Sequence, residues 1–70
     1  MLNTLINALD YYIKACKNAK DRPTKRTFCD QAFGAAQYHL FMFPNDQKQV
    51  EDLWDIYKPQ FEKEIYGFEG

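Results

Sequence analysis

The chain has 70 residues, among them six Phe, five Tyr, one Trp and two Cys, and carries a formal net charge of −1. A chain this short makes one small domain, residues 1–70, that buries only about 60% of its unfolded surface, so aromatic bulk must compensate for length. Near-neutrality argues against a general attraction to nucleic acid or anionic lipid, and no apolar run approaches the roughly 20 residues of a membrane span.

The opening residues Met1–Asn7 have neither a basic leader nor a continuous apolar stretch, so no secretory signal is expected. The expectation is a soluble cytoplasmic protein with reduced thiols. Charge is unevenly spread: residues 1–35 hold six Lys/Arg against three Asp/Glu, and residues 36–70 hold three against seven.

The first predicted helix covers about 2–20. Leu2, Leu5, Leu9, Tyr12, Cys16 and Ala19 recur at steps of three and four, with Ile6 and Ile13 widening the stripe. Asn3 or Thr4 can cap its start, and Pro23 closes it by disfavouring helical geometry at Arg22.

The second helix, about 24–43 with Thr24 as N-cap, contains a stretch, Phe28–Phe43, too apolar to lie on a surface. It carries two adjacent seams, one of Cys29, Phe33, Ala36, Leu40 and Phe43, the other of Phe28, Ala32, Ala35, His39 and Met42. Two seams require two neighbours, so this is the middle helix of three. Pairing positions equidistant from the turn sets Cys16 beside Cys29, Tyr12 beside Phe33, Leu9 beside Ala36 and Leu5 beside Leu40.

The third helix, about 46–66, opens with Asp46 and Gln49 spaced as a capping box. Val50, Trp54, Tyr57, Phe61, Ile65 and Phe68 form its stripe, with Pro59 expected to kink or interrupt it and Gly67 to stop it in the left-handed conformation. The matching register sets Trp54, expected to be largely buried, beside Ala35, and His39 beside Val50. The fold expected is all-α, a small antiparallel three-helix bundle.

No arrangement of residues calls for catalysis, a metal or a cofactor. Cys16, Cys29 and His39 are too far apart in sequence for a zinc pattern, and His39 reads as a packed histidine with one satisfied hydrogen bond. Two surfaces remain. Arg22, Thr24, Lys25 and Arg26, with Lys17 and Lys20 nearby, place cations at a helix start, where free N–H groups can hold an anion such as a nucleic-acid backbone. Against that, Glu62, Glu64 and Glu69 come to the same end and cancel the field. Gly34, Tyr38 and Phe41 lie on the back of the second helix, away from both seams, and Tyr11 lies opposite the first helix's stripe. Glycine inside a helix costs about 1 kcal/mol relative to alanine, which points to close packing by something outside the three helices. The functional expectation is therefore a protein–protein interaction or assembly module, self-associating or with another partner; a nucleic-acid regulator using residues 17–26 is the alternative.

Overall fold

Three apolar stripes of matching length bury one another, giving α1 (Leu2–Asn18), α2 (Arg22–Met42) and α3 (Gln47–Tyr66), with a short 3-10 turn over Pro44–Asp46. The computed structural model describes residues 2–68, and Glu69, expected at the basic end, lies outside them. Each helix contacts both others in a body 40 × 16 × 15 Å across its principal axes. The antiparallel three-helix bundle is as the periodicity requires.

The helix ends differ in detail. Asp21, rather than Thr24, caps α2: its carboxylate accepts the Thr24 N–H at 2.8 Å, so the helix starts two residues early with Pro23 in its first turn. A proline tolerates that position because its missing N–H has no intrahelical partner there. Asp46 makes no side-chain cap for α3; its carboxylate instead pairs with His39 Nε2 at 2.8 Å. Pro59 does not interrupt α3, which runs unbroken from Gln47 to Tyr66. The Gln60 side chain donates to the Ile56 carbonyl at 3.1 Å within the turn where Pro59 supplies no N–H. Gly67 stops the helix at φ −86°, which is not left-handed. Space selects glycine here, since a Cβ would stand 2.5 Å from the Lys63 carbonyl oxygen.

The core is Leu5, Leu9, Ile13 and Cys16 from α1, Ala32 and Ala36 from α2, and Val50, Tyr57, Phe61 and Ile65 from α3. α2 contributes alanines, which let both neighbours approach closely, while its large residues stand at the flanks. Phe61 is 0% exposed and occupies the centre of the core. Trp54 is only half-buried, its ring tilted against Phe33 at 5.6 Å and Phe61 at 6.0 Å.

The seams have exchanged neighbours. Ala35, His39 and Met42 line a groove with Thr4, Leu5 and Ala8 of α1, whereas Phe33, Ala36 and Leu40 line one with Val50 and Trp54 of α3. The levels expected from the sequence hold, but α3 lies on the other side of the α1–α2 hairpin, so Trp54 meets Phe33 and Ala36 rather than Ala35.

Polar contacts join α3 to its neighbours. The Tyr57 hydroxyl donates to the Asp10 carboxylate, joining α3 to α1. Burial, and then that carboxylate, push the Tyr57 phenol up from 10.0 to about 12. A raised folded-state pKa stabilises fully below the unfolded value, and the stabilisation is lost as pH rises through the folded one. Stability is therefore expected to fall between about pH 10 and 12. Urea titrations in that window check this: Tyr57→Phe must flatten the fall, and an unchanged slope would place the cause elsewhere.

Candidate interaction surface

The surface that α2 turns away from its neighbours is apolar toward its C-terminal end. Phe41 is 82% exposed, Tyr38 66% and Met42 52%. Gly34, one turn before Tyr38, has nothing within 4 Å of where a Cβ would stand. Among the described residues nothing in the chain packs at that glycine. Helical spacing puts Gly34, Tyr38 and Phe41 on one side, as the sequence pattern requires.

The α1–α2 groove beside this ridge, about 290 Å³, extends it. Thr4 and Ala8 form one wall, Ala35, Tyr38 and Met42 the other, and Phe43 closes one end. Tyr11, also 66% exposed, is three residues on from Ala8 and stands edge-on to Tyr12 at 5.4 Å. Met42, Phe43 and Phe33 are exposed members that sequence reasoning had assigned to buried seams. Their signal was excess: α2 carries more apolar residues than two neighbours can cover.

His39 lies beneath this groove, buried, with its ring 5.0 Å from that of Phe43 and its Nε2 held by Asp46. It is the packed, singly bonded histidine that its apolar seam implies. On the other flank of α2, Phe33, Leu40, Val50 and Trp54 line a groove of about 470 Å³ whose rim carries Glu51 and Asp55.

The four residues of the proposed anion site are differently employed. Lys25 is 2% exposed: its Nζ donates to the Cys16 carbonyl at 2.8 Å and to Glu64 at 3.1 Å, and lies 4.9 Å from the centre of the Phe68 ring. An anion at the surface does not meet it. Arg22 donates to the Ile65 carbonyl at 2.9 Å and to the Phe68 carbonyl at 2.6 Å, tying down the end of α3. Thr24 gives its backbone N–H to Asp21. Arg26 stays exposed, its guanidinium 5.9 Å from the Tyr66 ring. Lys25 and Arg22 are thus both held by the chain itself, and Lys25 joins all three helices at this end.

Both cysteines are free. Burial raises the Cys16 thiol, opposed by Lys25 and reinforced by Glu64, and its S–H faces the Lys25 carbonyl at 3.6 Å. Cys29 is raised by burial first, then by Asp30 and Cys16. Among the described residues no helix is long and apolar enough to cross a membrane, and no group of three or more His, Cys, Asp or Glu is placed to hold a metal ion. Comparison with protein-family models, curated proteins and solved structures finds no match to this chain.

Proposed function

We propose that this protein is a small interaction module that binds another protein chain through the outer face of α2, in a reducing compartment such as the cytoplasm. The observation that carries the reading is the ridge of Tyr38, Phe41 and Met42, each more than half exposed, running from an open Gly34. Contiguous exposed apolar surface on a small domain marks a contact with another molecule, and aromatic residues supply most of the energy at such contacts.

A photo-crosslinking side chain at Tyr38, set against one at Lys14 on the polar side of α1, tests the reading in cells. Protein adducts from position 38 and not from 14 support it; equal yields from both, or none from 38, overturn it. Folding serves as the control. Phe41→Glu is expected to change stability by no more than about 0.5 kcal/mol, as at other exposed sites. Gly34→Ala is expected to stabilise the monomer by about 0.5–1 kcal/mol, because its Cβ meets nothing.

A further inference from the structure

We propose that the groove between α1 and α2 binds a small aromatic alcohol, its rings held by the apolar walls and its hydroxyl bonded to His39 Nδ1. The site shares Tyr38 and Met42 with the ridge proposed above as a protein contact, but it rests on a different observation.

That observation is a buried side chain with one unused polar atom. His39 is 7% exposed, and Asp46 occupies its Nε2 at 2.8 Å. Among the described residues no hydrogen bond reaches the other ring nitrogen, Nδ1. Yet no side-chain nitrogen or oxygen of the core is sealed from solvent without a partner. Nδ1 therefore keeps an opening, and the groove that His39 lines supplies it. Asp46 on Nε2 and the Phe43 ring at 5.0 Å hold the imidazole in place, so Nδ1 is presented in one direction.

The groove around that atom is apolar and of molecular size. Ala8 and Ala35 carry the smallest side chains on their walls and leave the space open. Its volume of about 290 Å³ is roughly twice the ~150 Å³ of a cavity that holds benzene, which suits two fused rings. Tyr38 and Phe43 offer ring faces and edges, and Met42 a polarisable sulfur, all of which favour an aromatic guest. A hydroxyl suits Nδ1 in either state of the imidazole, donating to the neutral ring and accepting from the charged one. A carboxylate or phosphate would instead set a charge against apolar walls, with Asp46 close by on the other nitrogen. The α2–α3 groove lacks this combination, since its polar members, Gln37, Gln47, Glu51 and Asp55, are all exposed.

Two probes of one shape, 2-naphthol and 2-methylnaphthalene, are titrated into the protein at neutral pH and followed by NMR. The methyl resonances of Ala8, Ala35 and Met42 report this groove, and the indole resonances of Trp54 report the α2–α3 groove. The expected result is saturable shifts at Ala8, Ala35 and Met42, with 2-naphthol bound about threefold or more tighter. An apolar surface alone ranks the two the other way, by about fourfold, because a methyl gains on leaving water and an unpaired hydroxyl loses. Ala35→Leu, whose side chain fills the groove, is expected to abolish the shifts. Ala8→Leu repeats that test from the opposite wall, and circular dichroism confirms that each variant is folded. Binding of 2-methylnaphthalene as tightly as 2-naphthol, or more so, overturns the bond to His39 and with it the proposal. Shifts confined to Trp54, shifts that survive in both folded variants, or no saturable shift at all overturn the site. The protein contact at Tyr38 stands or falls separately, on the cross-linking yields from position 38.

Discussion

Phe61→Ala is expected to cost about 3–5 kcal/mol, as truncation of a fully buried aromatic does, against a total stability of about 4–10 kcal/mol for a chain of this length. Phe61 is 0% exposed and its ring is tilted against that of Trp54 at 6.0 Å, in a core whose apolar α2 side is alanine. Alanines cannot swing inward to fill the void, so the cavity stays open and its cost is added to the lost transfer energy. Urea unfolding followed by circular dichroism measures the effect. Trp54→Ala serves as the comparison: being half-buried, it is expected to cost distinctly less. A Phe61→Ala protein destabilised by under about 1.5 kcal/mol, or less than Trp54→Ala, would show that the core is centred elsewhere.

Lys25→Ala is expected to cost about 3 kcal/mol, because removing one member of a buried pair leaves the other charge and its acceptors uncompensated. The Lys25 side chain is 3% exposed and that of Glu64 26%, so water relieves part of the penalty on the glutamate. The Cys16 carbonyl, which Lys25 reaches at 2.8 Å, would keep only the Ala19 N–H at 3.2 Å. Replacing the pair together separates the contributions. Lys25→Met with Glu64→Leu keeps the volume and removes both charges, and is expected to recover much of the loss, since apolar isosteres of buried ion pairs are often neutral or better. Thermal melts of the two single variants and the double complete a cycle. Additive losses would mean that Lys25 and Glu64 act independently, and that the clamp on three helices is only geometric proximity.

The two variants bear on how the fold was read. Phe61 lies on a stripe visible in the sequence, so its burial follows from periodicity; its rank above Trp54 does not. Lys25 is the opposite case. A lysine in the first turn of a helix beside two arginines looks like a solvated cation, and the sequence assigned it to an anion site. Its side chain instead runs inward along the apolar seam, where the Cys16 carbonyl, Glu64 and the Phe68 ring receive the ammonium. Those partners are 9, 39 and 43 residues away, and local pattern carries no information about such distances.

The outer face of α2 was legible for a physical reason. Gly34, Tyr38 and Phe41 stand apart from both seams by helical geometry alone, and no arrangement of two neighbours covers all sides of one helix. Met42 and Phe43 were harder, because residues beside a seam are buried or exposed according to how closely the neighbour approaches, and the alanines of α2 bring it near at some levels only.

By itself the sequence determined the number of helices, their approximate lengths, the antiparallel order, and the levels at which residues meet. All of these depend on periodicity, on Pro23 and Pro44, and on short turns. Only the tertiary structure decided on which side of the α1–α2 hairpin α3 lies. A third helix can lie on either side of an α1–α2 hairpin at the same levels, burying the same stripes, so apolar pattern scores the two arrangements nearly alike. The choice falls to contacts between residues far apart in sequence: Tyr57 with Asp10, Lys25 with Glu64, and the Phe33 ring against Trp54. Each is directional, because a hydroxyl, an ammonium or a ring edge has a geometry that a methyl group lacks.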